Sequence, residues 1–440
     1  MSERANVLQR TQIGVEATAG TAVAATKRLG GLSIALQPAG NILNFAPMGS
    51  KFDTIAAMGR EWATLQGQGY ASYLDMPYLL AGLIRYAAPA QQGGSAAYLW
   101  TATPQATAED VTKTFTVEQG EVASGGRASR VAYGQFMGAK WSWDRDGVNV
   151  SLQGLARSIE DDVPLSVSAT YTLTAAGSPP TVGNFTLTHS GNTTANISFD
   201  ATAAQVQAAL EALASIGANN VEVEATTAAG AGNLTVAANV YTITFKRALA
   251  SQAVTLTGTF TGLTPSGSIA IAAGTVGAGP TLLTPVPILG NQVSVYMDAT
   301  AGGIGSTKLT RVFSGEIGYE NRYGPVWPVD AANASFASMV ELKPSAMFSM
   351  KMAADDVGMG LLTTMRAGDT KYIRWEAEGD IIASTYPYRL RFDMAVKVKD
   401  VFKYEDHEGI YAVGFNFSMV EDAGFGKPFE ATCMTTVTQL

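Results

Sequence analysis

The sequence predicts a mainly β protein: two tandem β-sandwich or barrel-like domains, each with a short helix, and a small α+β module inserted between them. Three observations predict this. The first is composition: 47% of the 440 residues are apolar, only 15% are charged and 46 are glycine, which suits strands joined by many turns. The second is an internal repeat. Slid by 281 positions, residues 26–85 fall on 307–366 without a gap, Thr26-Lys27 on Thr307-Lys308 and Arg85 on Arg366. The third is a middle stretch, about 172–284, whose only charged residues are Asp200, Glu211, Glu222, Glu224, Lys246 and Arg247. Joints rich in Gly and Pro bound it, Gly177-Ser178-Pro179-Pro180 before and Gly277-Ala278-Gly279-Pro280 after. The expected units are therefore 1–171, 172–284 and 285–440.

Each outer unit opens with strand-type segments and then carries a helix candidate, Asp75–Arg85 in the first and Asp356–Arg366 in the third. The Asp stands where an N-cap belongs and the Arg where it complements the helix C-terminus. Each ends in a hairpin. Tyr388, Leu390, Phe392, Met394, Val396 and Val398 alternate with mostly polar residues, which predicts a strand with one buried and one wet face. Tyr411, Val413, Phe415, Phe417 and Met419 alternate after an acidic turn. In the first unit Val148, Val150 and Leu152 follow the turn Asp144-Arg145-Asp146-Gly147. Here the repeat shift is 261, Val150 onto Tyr411, because a longer Gln/Gly/Ala/Thr-rich connection follows the first helix. In the middle unit Phe185–Thr188 and Asn196–Phe199 read as a hairpin turning at Ser190-Gly191-Asn192. Thr202-Ala203-Ala204-Gln205 reads as a capping box, Val206, Leu210, Leu213 and Ile216 as the helix stripe, and Gly217 as its stop. Strands follow at Val221–Val223, Val240–Phe245 and Val254–Leu256.

The chemistry-bearing residues are sparse. The two histidines, His189 and His407, fall in different units, and no His/Cys/carboxylate cluster has metal-ligand spacing. Asp144-Arg145-Asp146-Gly147 lacks the later ligands of a calcium loop and reads as a turn, as does Glu405-Asp406-His407-Glu408-Gly409. Glu160 and Asp161 are adjacent on an extended chain and point apart, which reads as a strand end rather than an acid–base couple. Trp141 and Trp143 share a strand face and read as core or subunit packing rather than a sugar or base platform. No nucleophile elbow, P-loop or dinucleotide fingerprint is present. The expectation is a non-enzyme with no catalytic residue, no cofactor and no metal.

Cys433 is the sole cysteine, which excludes an intrachain disulfide. Met1–Arg10 has no secretory core and Met76–Ile84 is too short to span a bilayer, so cytoplasmic synthesis is expected. A net charge of −8 without a basic block argues against a free-standing nucleic-acid binder. It does not exclude a wall that DNA merely passes, since a mildly acidic wall repels phosphate and does not grip it.

Gly14-Val15-Glu16-Ala17-Thr18-Ala19-Gly20-Thr21-Ala22 resembles the E-x-T-x-G-T-x opening of major tail proteins of long-tailed, siphovirus-type bacteriophages. The third unit resembles the same family at Thr307–Val312, Asn321-Arg322, Val340-Glu341, the helix ending at Arg366, Tyr372–Arg374 and the run from Asp406 to Asp422. The middle helix resembles that of small modules inserted in phage structural proteins. The resemblance implies a tail tube protein of the duplicated type: a virion protein, made in the host bacterial cytoplasm, whose chains form trimeric, pseudo-six-fold rings. The rings stack into a tube that DNA traverses, with tape measure, tail terminator and tip proteins as further partners and the module outside. Against this frame the small face Ala412, Gly414, Asn416, Ser418 is either a lumen wall or a plain solvent face. The segments 38–53 and 319–333 are expected ring-to-ring loops, with an Ω-loop packed on its own domain as the rival. Alternatives are another phage structural component, capsid or baseplate, or a bacterial surface β-sandwich adhesin.

Overall fold

The computed structural model describes residues 9–120, 128–163, 165–166, 169–218, 220–225, 234–235, 239–245, 249, 254–274, 280–329, 334–401 and 404–440. The fold is mainly β, with 54% of the described residues in strands and 9% in helices.

The two outer units repeat one antiparallel ladder. In the first, Leu32–Phe45 pairs with Ile55–Tyr70, which pairs with Val148–Ala156, then Ala128–Trp143, Phe115–Gly120, Arg10–Val15 and Lys27–Arg28. In the second, Val312–Glu320 pairs with Ser345–Ala353, then Ile410–Met419, Tyr386–Val401, Lys371–Ala383, Val293–Asp298 and Lys308–Leu309. Each ladder places one helix after its second strand: α1 (Met76–Leu83) in the first and α3 (Asp356–Ala367) in the second. Shared strand order and shared helix position are what duplication of one unit produces.

The two units are not separate bodies. Trp141, Trp143 and Phe136 of the first and Phe348, Trp375 and Phe392 of the second belong to one continuous core. Trp143 stacks on Phe348 at 5.5 Å, and Trp141 lies 5.1 Å from Phe392. Both tryptophans are therefore interior packing, which removes the platform reading.

Residues 171–269 have a core of their own. Thr170–Ala175 pairs with Val240–Phe245 and Ile269–Ala273, and Val221–Ala225 adds to Val240–Phe245. Val182–His189 turns through Ser190 and Gly191, both at positive φ, and pairs with Asn192–Thr193 and Ile197–Ser198. The helix α2 (Ala203–Glu211) starts at the expected capping box: Gln205 N donates to Thr202 Oγ1, and Gln205 Oε1 accepts from Thr202 N.

Several sequence expectations need correction. Asp75 does not cap α1 with its side chain. It is fully buried, and its carboxylate accepts from Gly31 N at 2.7 Å and Gly30 N at 3.5 Å. Asp355, not Asp356, caps α3, through Gly358 N. The strand Tyr386–Val401 is wet on one face only in part: Lys397 and Lys399 are exposed, but Asp393 and Ala395 are buried. Arg374 neutralises Asp393 in a two-pronged pair at 2.7 and 2.8 Å. Residues 38–45 are strand rather than loop, and the first hairpin is a long two-stranded arm.

Candidate assembly surfaces

The residues that could have carried chemistry have structural partners. Asp144 Oδ1 accepts from Asp146 N and Gly147 N and closes its own turn. Asp406 Oδ1 accepts from Gly409 N in a turn whose Glu408 and Gly409 both lie at positive φ. His407 stacks on Phe313 at 4.3 Å, and His189 Nδ1 meets Ser215 Oγ at 3.0 Å. Arg130 clasps Glu160, and Ser129 donates to Asp161. Cys433 is buried, which pushes its thiol pKa up, and Sγ contacts Tyr73 O. Among the described residues no group of three or more His, Cys, Asp or Glu could hold a metal, and no helix is long and apolar enough to cross a membrane.

The motif at residues 16–21 has a physical cause. Glu16 is buried, and its carboxylate accepts from Gly20 N, Thr114 Oγ1, Thr116 Oγ1 and Tyr133 N. Gly20 takes φ +82, and an added Cβ would lie 2.6 Å from Arg157 Nη1. Glu, a short loop and Gly at that spacing fold the segment around one carboxylate and tie it to two strands.

The two ladders meet edge to edge. Residues 139–143 extend beyond the pairing of their strand with Phe115–Gly120, and Gly315–Tyr319 add there antiparallel, with Ile317 opposite Trp141. Lys140 Nζ bridges the seam to Glu316 at 3.4 Å and Glu320 at 3.7 Å. In ladder terms the fourth strand of the first unit joins the first strand of the second.

The counterparts of those two edges have no strand partner among the described residues. One is the outer edge of Leu32–Phe45; the other is Lys397–Val401, beyond the end of pairing with Lys371–Ala383 at Val396. The first edge is protected within the chain. Ile34 N donates to Thr11 Oγ1 and Leu36 N to Gln119 Oε1, each at 3.2 Å, and Pro38 has no N–H.

A second link was invisible in the sequence. Arg322 is buried between Asp110 and Glu341, and also donates to Leu83 O and Ile84 O at the C-terminal end of α1, each at 3.3 Å. Asp110 and α1 belong to the first unit, Arg322 and Glu341 to the second. Burial lowers the arginine's proton affinity, but Tyr319, Tyr323 and Glu341 outweigh it, so the pKa rises. Asn321-Arg322 and Val340-Glu341 were marked in the sequence, but nothing there paired them or pointed to Asp110 and the end of α1.

The arm Leu32–Tyr70 exposes Ile42, Leu43, Phe45, Met48, Phe52, Ile55 and Met58. Its root packs on the second unit, where Trp62 meets Trp327 at 5.5 Å and Arg60 covers the same ring. The shorter hairpin Tyr323–Val326 with Ser338–Glu341 is that arm's counterpart. Of the other expected loop, residues 330–333 lie outside the described residues. The face Ala412, Gly414, Asn416, Ser418 is less open than expected, because Ala412 is fully buried and the rest half-buried.

No family model matches the chain, and no curated protein matches it. Over part of its length it is similar to a solved structure from Mycobacterium phage Patience, at 19% identity and a TM-score of 0.19, covering 28% of this chain and 47% of that one. The chain thus spans about half the length of the structure it matches, a likeness that carries no argument about function.

Proposed function

We propose that this chain is a structural virion protein that assembles with itself into stacked rings, forming a phage tail tube through which DNA passes. The observation that carries the reading is the seam between residues 139–143 and 315–319, together with the counterpart edge Lys397–Val401, which has no strand partner among the described residues. The seam is head to tail, and a heterologous contact repeated between chains gives a ring where the rotation closes. Repeating it joins Lys397–Val401 of one chain to Leu32–Phe45 of the next. Three chains then supply six tube units. Pairing covers the open edge at Lys397–Val401, which would otherwise invite uncontrolled aggregation.

The exposed apolar arm extends beyond the ladder and is the proposed contact between stacked rings, a surface large enough to ask for a partner. A low-charge wall without a basic face lets DNA pass without holding it. The role requires no catalytic group, cofactor or metal. Its remaining partners are those of a tail: tape measure, terminator and tip proteins.

Negative-stain microscopy of the purified protein tests the reading. Hollow tubes with three chains per ring are expected. Six whole chains per ring would remove the pseudo-six-fold arrangement, and a strictly monodisperse monomer across salt conditions would remove the tube.

A further inference from the structure

The two units differ at one place where the repeat says that they should agree. In the first unit a surface seat is filled by the chain itself. The segment 281–289, on its way to the second unit, runs parallel to Lys27-Arg28 and then crosses residues 71–73 and 147–148. Leu283 N donates to Arg28 O, Tyr73 N to Val286 O, Ile288 N to Ala71 O and Val148 N to Ile288 O, at 2.9 to 3.1 Å. Under this cover Ala71, Ser72, Tyr73 and Val148 are buried.

The corresponding seat on the second unit is identified by a shared hydrogen bond. Ala71 N donates to Val148 O in the first unit, and Ala354 N donates to Tyr411 O in the second. Lys308, the partner of Lys27 in the repeat, is exposed; Ala354 is half-buried, and Tyr411 is 77% exposed beside an exposed Ile410. An open groove runs past Lys308, Leu309, Phe313 and His407. No described residue of the chain lies where 281–289 lies on the first unit.

We infer that this seat takes residues 1–8 of a neighbouring copy of the same chain, added as an extended strand. Segment 281–289 leads into Val293–Asp298, and residues 1–9 lead into Arg10–Val15, the strand in the same ladder position. Ile288 stands five residues before Val293, and Ala5 stands five before Arg10. Ala5 therefore takes the place of Ile288, opposite Ala354. The lead-in is long enough, since residues 1–6 match 284–289, which include Val286 and Ile288, the residues bonded to 71–73 and 148. Main-chain pairing supplies the binding, as in other cases of strand addition to an open edge.

The inference rests on self-assembly and extends it, so its test separates the two. In the double variant Ala5→Cys with Ala354→Cys, mild oxidation of assembled protein is expected to give a ladder of covalently linked chains on a denaturing gel. Either single variant should give none, because Cys433 is buried. Deleting residues 2–8 is expected to leave the melting temperature of the unassembled chain unchanged and to raise the concentration needed for assembly at least tenfold. Tubes that form without cross-links, or an unchanged assembly threshold after deletion, overturn this inference alone. A link confined to single chains does the same. A chain that stays monomeric in every condition overturns it together with the ring.

Discussion

Lys27 Nζ lies 3.0 Å from Glu222 Oε2, and this contact fastens the middle module to the first ladder. Both side chains are about 5% exposed, and Glu224 adds a second carboxylate at 3.4 Å. Burial lowers the lysine's proton affinity, but the two carboxylates outweigh it and its pKa rises. The module spends two of its few charges on this one attachment, so it is docked rather than tethered.

Substituting one member should leave an unpaired buried charge. Glu222→Ala is expected to destabilise the protein by about 3 kcal/mol, less what Glu224 retains, whereas adding Lys27→Met to it should recover much of the loss. Urea denaturation of both variants checks this, and equal losses would contradict the buried-pair account. Excising residues 176–282 must likewise be paired with Lys27→Met, because excision alone strands the lysine.

Arg322 argues a second case. Its guanidinium reaches Asp110, Glu341 and two carbonyls at the end of α1, so one side chain holds four acceptors across the two units. Lysine has a single point charge and no planar fork. Arg322→Lys is expected to cost about 3 kcal/mol, and Arg322→Met more, since it leaves buried Asp110 with only the half-exposed Arg85 at 4.0 Å. Thermal unfolding ranks the three proteins, and a wild-type-like Arg322→Lys variant would disprove the fork requirement.

What the sequence disclosed follows from what is local. Alternation along 388–398, the capping box at Thr202 and the turn at Ser190-Gly191 all depend on near neighbours and were legible. The repeat was legible by face but not by register: equivalent ladder bonds match Val148, not Val150, with Tyr411, a slip of two that leaves every side chain on the same face. The seam opposite Trp141, the Lys27–Glu222 contact and the Arg322 cluster join residues far apart in the chain, and a single sequence carries no signal for such pairs. Pro38 and the glycines around it suggested a loop, but an edge strand tolerates proline, so the long arm was read too short. Asp75 looked like a helix cap because of its position before α1; the N–H donors it accepts from, Gly30 and Gly31, lie on another segment.

Asp75 sets a pH dependence. Burial pushes its pKa up to about 6 from an ordinary 3.8, although Gly31 N and Gly30 N favour the ionised form. A carboxyl with a raised pKa in the fold binds its proton more tightly folded than unfolded. Stability should therefore fall as pH rises from about 4 to about 6, by up to about 3 kcal/mol, and then level off. Denaturation midpoints between pH 4 and pH 7 measure the slope. In Asp75→Asn that slope should flatten; an undiminished slope would assign it to other groups.

The arm separates folding from assembly. Met48 and Phe52 sit at its tip and are exposed, Phe52 at 79%, so they bury nothing in the single chain. Replacing both with serine should change the stability of the unassembled protein by no more than about 0.5 kcal/mol, as surface changes usually do. If the tip seats on the next ring, the same variant loses apolar area that only assembly buries, worth about 1.5–3 kcal/mol for each large side chain fully covered. Summed over every arm in a ring, that loss should shorten tubes to single rings or short stacks. Tube length by microscopy and melting temperature of the dissociated chain are the two readouts. Long tubes from the double variant would assign ring stacking to another surface, and a lowered melting temperature would show that the tip packs within its own chain.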